Sequence, residues 1–356
     1  MNSAEPETGH DKSLVEKLAR TIKVVVSPAT GVKRFQQLMN LVRGRSHALN
    51  SYNLIEVQKA LDALPAQDHY DVVLFESVFM AGCHLPRGVK VIIDQHNIEY
   101  ELLERTYRRE KAGLRKWYNW WESRLLKSVE IERCGRADLV LVTSERERVL
   151  LKSMLPKSPI KVVPNGVDVE AFNGSSPEQE IAGQIIFTGT MHYYPNVDAV
   201  LFFAQRCWPF IRAQVPDATW KIVGHDPSPE VRRLAGLPGV TVTGSVPDVR
   251  PYLAKSTVVI APLLVGSGTR LKILEALAMQ KAVVSTSVGC EGLAVVPGKH
   301  LIVADQPEAF AQAVIAFLQN PEMRITYGDA GRKFVEAGYS WERCGTQLLR
   351  ALEEIS

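Results

Sequence analysis

Several common features are scarce or absent in this sequence. Its five cysteines are scattered, odd in number and free of CxxC spacing, which excludes a disulfide frame and a zinc finger. The net charge of +3 over 356 residues gives no basis for a nucleic-acid partner. No apolar run has transmembrane length, and the N-terminus is polar rather than signal-like. We therefore expect a cytoplasmic protein with reduced cysteines, in peripheral contact with the inner face of a membrane at most.

Two nucleotide-binding signatures are also missing. No GxGxxG follows a predicted strand, which excludes a dehydrogenase-type dinucleotide fingerprint, and there is no GxxxxGK[ST] phosphate loop. The composition, with 46% apolar and 23% charged residues, is that of a soluble globular protein. The chain is long enough for two domains of ordinary size.

The order of predicted elements indicates an α/β protein. Short apolar runs alternate with helical patterns, as they do in a parallel sheet covered on both faces. A cluster of turn residues at 164–168 interrupts the alternation and marks a domain boundary. We predict an N-terminal domain at 1–165, a C-terminal domain at 166–340 and a final helical segment at 341–356.

The individual elements follow from the same patterns. The predicted strands are 22–26, 72–75, 89–93, 139–142, 160–163, 185–187, 220–223, 240–242, 257–263, 282–285 and 301–303. The predicted helices are 13–20, a long helix before residue 139, 197–213, 230–234, 307–318, 323–337, and helices that begin near residues 249, 271 and 342.

The stretch 256–279 carries the strongest functional signal. A buried strand gives way to a helix across Gly266-Ser267-Gly268-Thr269. The glycines let the backbone turn tightly and approach a ligand, and Thr269 is a suitable helix cap. The start of a helix presents unpaired N–H groups, which favour a phosphate.

The charged residues of this helix support the same interpretation. Arg270 and Lys272 lie in its first turn, where they oppose the helix dipole unless an anion lies among them. Glu275 opens an apolar stretch and needs hydrogen-bond donors, which the two hydroxyls of a ribose would supply. The alternative is an ordinary surface loop whose charged side chains are solvated.

Other predicted strands of the C-terminal half also end in glycine, at Gly189, Gly224 and Gly244. The backbone must therefore stay clear along one edge of the sheet, as a nucleotide lying across strand ends requires.

In the N-terminal half, polar residues 94–99 follow the strand at 89–93. His96 is thus a candidate acid, base or sugar-contacting residue, and the alternative is a histidine that caps the next helix.

The segment 105–136 is rich in basic and aromatic residues. It has ten Lys or Arg against four Glu, an excess of six positive charges, and contains three tryptophans and a tyrosine at 117–121. Basic residues with interfacial aromatics dock on anionic lipid. The alternative is a helix whose tryptophans pack into the core while its arginines are solvated.

Taken together, the motifs resemble those of GT-B glycosyltransferases of the group 1, family 4 type. The motifs are residues 163–168, the Gly189 turn, the turn at 223–224, Gly244 and the run 268–276. Residues 94–100 and 194–199 also resemble sugar transferases of bacterial exopolysaccharide synthesis. The resemblance is close over residues 70–341.

The resemblance implies two Rossmann-like domains with parallel sheets that face a cleft. A nucleotide-diphosphate sugar would be held by the C-terminal domain, with Glu275 on the ribose. Arg270 and Lys272 would stabilise the departing diphosphate, so that no metal or cofactor is required. His96 would face the transferred sugar.

Further donor contacts are implied at Gly189, Gly224, Gly268 and Thr269, and at Gly289 and Glu291 in the loop 289–292. Members of this type retain anomeric configuration. In this fold the last helix often crosses to the N-terminal domain, which we expect of the segment 341–356.

The sequence departs from the family pattern in three places. Ser267 lies where the family often has a glutamate, eight residues before Glu275. Residues 190–193 replace an arginine and a lysine that commonly follow the first strand of the C-terminal domain. The opening strand and glycine-rich loop of the N-terminal domain are not recognisable, so we predict that this domain is shortened.

Three functions are compatible with this sequence. The first is a retaining hexosyltransferase that uses a nucleotide-sugar donor and a lipid-linked or polysaccharide acceptor. The second is a catalytically weak nucleotide-binding or scaffold protein with an incomplete acceptor domain. The third is a nucleotide-sugar epimerase with the same fold. The base, sugar, acceptor and linkage depend on side chains that the motifs do not fix.

Overall fold

The computed structural model describes residues 39–40, 43–44, 46–50, 52, 54–64, 70–110, 112–174 and 180–355. The helix predicted at 13–20, the strand predicted at 22–26 and the predicted shortening of the N-terminal domain lie outside these residues. No described helix is both long and apolar enough to cross a bilayer.

The described residues pack as two compact units. The first contains those up to Gln95, together with 99–141 and 151–160, and the second contains 96–98, 142–150 and the chain from Lys161 onward. The domain bounds at 165 and 340, and the crossing of the last helix, stay predictions.

A four-stranded sheet forms the centre of the first unit, in the order β1-β2-β3-β4, with β1 and β2 parallel. Its strands are β1 Val72–Phe75, β2 Lys90–Gln95, β3 Leu139–Val142 and β4 Ile160–Val162. The helices are α1 His47–Asn50, α2 Leu54–Asp62, α3 Glu99–Arg109, α4 Leu114–Arg136 and α5 Glu145–Met154, of which α5 begins in the second unit.

Strand β2 is longer than predicted because its last residue is polar and buried. Gln95 is 2% exposed, and its side-chain amide donates a hydrogen bond of 2.7 Å to Glu130, which is fully buried. A buried carboxylate of this kind needs donors. The Glu99 and Tyr100 N–H groups supply two more at 3.1 Å each, so Glu130 caps the N-terminus of α3.

The second unit is built on a six-stranded sheet in the order β10-β9-β8-β5-β6-β7, and all five neighbouring pairs are parallel. This confirms the predicted α/β class. The strands are β5 Gln184–Thr188, β6 Thr219–Val223, β7 Val240–Gly244, β8 Val258–Ala261, β9 Ala282–Ser285 and β10 Ile302–Val303.

Helices cover both faces of this sheet, as expected for a parallel sheet in which β5, β8 and β9 are buried along their whole length. The helices are α6 Tyr194–Phe202, α7 Trp208–Gln214, α8 Pro229–Arg233, α9 Arg250–Lys255, α10 Leu271–Ala278, α11 Pro307–Gln319, α12 Pro321–Gly338 and α13 Trp341–Glu353. One face packs an aromatic core that includes Phe203, Trp220 and Phe310, and the other packs the apolar side of α10.

The single helix predicted at 197–213 is wrong in one respect. It is divided into α6 and α7 by a π-helical turn, Phe203–Cys207. The cause is Pro209, which has no N–H to donate to the preceding turn and lies in the first turn of α7.

Candidate active site

The candidate site lies at the point where the order of strands in the second sheet reverses, between β5 and β8. The chain enters the sheet at its centre with β5, runs outward through β6 and β7, and then returns to β8 on the other side of β5. The loops that follow β5 and β8 therefore diverge from neighbouring strand ends. In sheets of this kind the resulting crevice is where ligands bind.

Lys272 brings its ammonium group into this crevice. It is the second residue of α10, and its Nζ donates a hydrogen bond of 2.8 Å to Asn196 Oδ1. The same nitrogen lies 3.9 Å from the centroid of the Phe187 ring in β5. Burial and the neighbouring charge of Arg270 lower the pKa of Lys272 to about 7. Such a group gains its full charge when an anion binds beside it.

Two of the predicted glycines are required by this arrangement. Gly189 has φ 151°, and a Cβ at this position would lie 2.8 Å from Lys272 Nζ. Gly224 has φ 154°, and a Cβ there would overlap the carbonyl oxygen of Gly189. The backbone is therefore kept clear for the lysine and for the close approach of the two loops.

The start of α10 differs from the prediction. Thr269 is not the helix cap, because the N-cap residue is Arg270. The Arg270 guanidinium turns back and donates from Nη1 to the carbonyl oxygens of Ser267 and Gly268, the latter at 2.6 Å. This side chain therefore holds the shape of the glycine loop from within.

Glu275 lies one turn after Lys272, so both side chains project from the same side of α10. Burial raises the pKa of Glu275, and the positive charge of Lys272 opposes this change. The remaining side of the helix is apolar and buried. A carboxylate and an ammonium thus lie next to each other at the edge of the crevice.

The segment 96–98, which belongs to the second unit, runs along the glycine loop. A Cβ on Gly268 would lie 2.6 Å from the carbonyl oxygen of His96 and would overlap the Asn97 side chain. The Ser267 hydroxyl donates to the Ile98 carbonyl oxygen at 3.4 Å. His96 is an exposed residue, and its backbone carbonyl oxygen meets the loop at Gly268.

Thr269 connects the glycine loop to a buried carboxylate. Its hydroxyl donates to Thr143 Oγ1 at 3.0 Å, and Thr143 donates in turn to Glu147 Oε2 at 2.8 Å. Glu147 is 1% exposed and also accepts hydrogen bonds from the Thr143 N–H and the Ser144 hydroxyl. All of these residues belong to the second unit.

The loop that follows β9 was predicted to contact the substrate. Gly289 packs so closely that a Cβ would overlap Ser285 Oγ and lie 2.5 Å from the carbonyl oxygen of Ala261. Glu291 forms an ion pair with Arg146, with Nε and Oε1 3.0 Å apart. In this structure Glu291 therefore holds the loop against the first turn of α5.

Several residues of this arrangement were not predicted as site residues, among them Thr143, Ser144, Glu147 and Asn196. Ser144 and Glu147 form the S-x-x-E pattern of a capping box at the start of α5, a signal that could have been read from the sequence. Asn196 lies in the segment 194–199, whose resemblance to sugar transferases marked the segment but not the partner of this side chain. Asn196 reaches Lys272 from 76 positions away, so only the sheet order places the two together.

Comparison with known families agrees with this geometry. Residues 12–171 match the family model Glycosyltransferase Family 4, and residues 182–320 match the model Glycosyl transferases group 1. The chain belongs to these glycosyltransferases. The predicted family is therefore confirmed, and both compact units carry part of the match.

Curated relatives of this glycosyltransferase are distant. An uncharacterized 44.6 kDa protein in the cps region of Klebsiella pneumoniae is 21% identical and covers 88% of this chain and 84% of the relative. A phosphatidyl-myo-inositol mannosyltransferase of Mycobacterium leprae is 26% identical, over 54% of this chain and 53% of the relative.

Solved structures share the fold of this glycosyltransferase. The sucrose-phosphate synthase of Thermosynechococcus elongatus has a TM-score of 0.69 at 20% identity and covers 88% of this chain and 80% of that one. The Anabaena protein HepE in complex with UDP-glucose has a TM-score of 0.67 at 15% identity, over 97% and 89% of the two chains. The predicted fold with two Rossmann-like domains is confirmed.

Proposed function

We propose that this glycosyltransferase moves a hexose from a nucleotide-diphosphate sugar to a lipid-linked or polysaccharide acceptor in cell-surface or exopolysaccharide synthesis. The reaction retains anomeric configuration, needs no metal and takes place at the cytoplasmic face of a membrane. The observation that carries the proposal is Lys272, a partly exposed residue whose ammonium group lies in the crevice between β5 and β8.

The diphosphate would bind at the start of α10. Its negative charge would raise the pKa of Lys272 from about 7 and keep the ammonium protonated, next to the N–H groups of the first helical turn. This charge stabilises the leaving diphosphate most as the sugar–phosphate bond breaks. Arg270 would contribute from the glycine loop, and Glu275 would accept hydrogen bonds from the ribose hydroxyls.

Other predicted site residues fit around this centre. Gly189, Gly224, Gly268 and Thr269 would line the donor through their backbone, and the loop with Gly289 and Glu291 would border the sugar. His96 would contact the sugar through its exposed ring.

Two similar proteins support a sugar-nucleotide donor and a lipid acceptor. HepE was solved in complex with UDP-glucose, and the Mycobacterium leprae relative is named for phosphatidyl-myo-inositol. The relative from the Klebsiella pneumoniae cps region favours cell-surface polysaccharide synthesis.

The direct test is to incubate the chain with UDP- and GDP-sugars, with and without lipid-linked and oligosaccharide acceptors. We expect a glycosylated acceptor and free nucleoside diphosphate, with the α or β configuration of the donor preserved. An epimerised donor in the absence of acceptor would favour the epimerase. Nucleotide binding without either product would favour the scaffold protein.

Substitution of His96 tests the sugar-contacting role. We expect His96→Ala to leave nucleoside diphosphate affinity unchanged and to lower turnover by roughly a hundredfold, the usual contribution of a positioned acid or base. The matched control is His84→Ala, an exposed histidine of the first unit. Equal turnover of His96→Ala and the control would show that the His96 side chain has no role in catalysis.

A further inference from the structure

The first turns of α4 expose apolar side chains that the candidate active site does not use. Leu114 is 88% exposed and Trp117 is 51% exposed, at the start of α4. Trp121, one turn further, is only partly buried and stacks on Trp117 with ring centroids 6.4 Å apart. These three residues form one stripe on the outward side of the helix.

This stripe does not pack into the hydrophobic interior of the first unit. The buried residues of α4 include Glu122, Leu126 and Glu130, which lie on the other side of the helix. Of the two alternatives for the aromatic segment, core packing therefore does not describe Trp117. Beyond Trp121 this side carries the partly buried Leu125 and then becomes polar, with Ser128 and an ion pair between Glu132 and Arg136. The strongly exposed apolar residues of α4, Leu114 and Trp117, both lie in its first two turns.

Cations surround the exposed apolar residues. Arg108 and Arg115 have side chains that are 68% and 79% exposed, and the Arg124 guanidinium lies 5.4 Å from the centroid of the Trp120 ring. Arg108 and Arg115 are themselves ion-paired with Glu104 and Glu110, and Arg105 is ion-paired with Glu101. The excess positive charge therefore comes from Arg109, Lys116 and Arg124. The surface is apolar at its centre and carries a net positive charge around it.

We infer that this surface, defined by Arg108, Leu114, Arg115, Trp117 and Arg124 and here called the α3–α4 tip, docks the protein on an anionic lipid bilayer. A tryptophan and a leucine insert at the level of the headgroups, and the arginines pair with anionic headgroups. The charge of the tip matches that of an anionic membrane, and its small area suits a reversible contact.

The inference rests on the proposed function in one respect. Docking on a membrane would keep the enzyme next to a lipid-linked acceptor. The docking itself needs neither donor nor acceptor. Its test can therefore fail while the transfer reaction is observed, and the reverse is equally possible.

The experiment is flotation of the full chain with phosphatidylcholine vesicles and with vesicles in which about a third of the lipid is phosphatidylglycerol. We expect binding to the anionic vesicles alone, weakened by salt as surface charges are screened. The double substitution Leu114→Ser, Trp117→Ala should lower binding at least tenfold. Arg124→Ala should lower it roughly fivefold, the effect of one cation near a charged membrane.

Two controls separate docking from general surface effects. Ile325→Ser removes an apolar residue that is 59% exposed in the second unit, and Arg136→Ala removes an arginine of α4 about 18 Å along the helix from Arg124. Both should bind vesicles as the unsubstituted chain does. Matching thermal transitions of all variants exclude misfolding as the cause.

Two results would overturn the inference. One is equal binding of the tip variants and the controls to anionic vesicles. The other is a dimer of the unsubstituted chain in sedimentation equilibrium that Leu114→Ser, Trp117→Ala converts to a monomer without any vesicle binding. The tip would then be an interface between two copies of the chain.

Discussion

At the level of single residues, the charge of Lys272 governs how the candidate site receives a diphosphate. The ammonium has a pKa of about 7 because it is buried and because Arg270 adds a second positive charge, while Glu275 acts in the opposite direction. The free protein therefore loses this charge as the pH rises through 7. Binding of a diphosphate requires the charge and must take up a proton above that pH.

We predict that the affinity for UDP or GDP falls as the pH rises from 7 to 9, by up to about tenfold per pH unit. Calorimetry in buffers of different ionisation enthalpy measures both the affinity and the proton uptake. Lys272→Arg is the matched variant, since arginine keeps its charge throughout this range. Its affinity should vary little with pH, and an equal slope in both proteins would contradict the role of Lys272.

Candidate site residues could be identified from the sequence where the signal was local, and their roles stay predictions. The glycine loop, Lys272 and Glu275 follow one another within ten positions, and a phosphate-binding interpretation needs only that order. The partners of these residues were not predictable. Asn196 is 76 positions from Lys272, and Thr143 is 126 positions from Thr269, so neither contact can be read from the local sequence. The first contact requires that β5 and β8 become neighbours.

At the level of elements, the chain of hydrogen bonds from Thr269 through Thr143 to Glu147 links the glycine loop to the start of α5. We predict that Thr269→Val and Glu147→Gln each lower the affinity for a nucleoside diphosphate, because each removes support from the same loop. Their combined effect should fall short of the sum by about 1 kcal/mol, as expected for residues in one network.

The measurement is a double-mutant cycle on diphosphate affinity, accompanied by urea unfolding of each variant. Thr326→Val in α12 is the control, because its hydroxyl donates only to the Glu322 carbonyl oxygen within the helix. Additive effects of Thr269→Val and Glu147→Gln would show that the loop and the capping box act independently.

Most elements could be predicted from hydrophobic patterns, and the errors have local causes. The strand at 282–285 was predicted with its correct bounds, since four buried apolar or small residues end at a turn. The end of β2 was missed because Gln95 is polar and is buried only through Glu130. The N-cap of α10 was predicted at the wrong residue, because the Thr269 hydroxyl forms a hydrogen bond with Thr143 rather than with an N–H group of α10.

At the level of the whole molecule, the family match and the sheet order support one interpretation. The second unit is a doubly wound parallel sheet, and its reversal point carries the lysine, the glycines and the carboxylate that the sequence singled out. Such sheets bind many different ligands at this position, so the fold alone does not identify the ligand. The central claim is therefore that this crevice binds a nucleoside diphosphate through Lys272.

The most direct test of this claim is a calorimetric titration with UDP, GDP and the corresponding nucleosides, without added metal. The titration compares the unsubstituted chain with Lys272→Ala, and with Lys255→Ala as an exposed-lysine control. We predict micromolar binding of one diphosphate, far weaker binding of its nucleoside, and a loss of about 2–3 kcal/mol in Lys272→Ala alone. Unchanged diphosphate affinity in Lys272→Ala, or no binding of either diphosphate to the unsubstituted chain, would contradict the account.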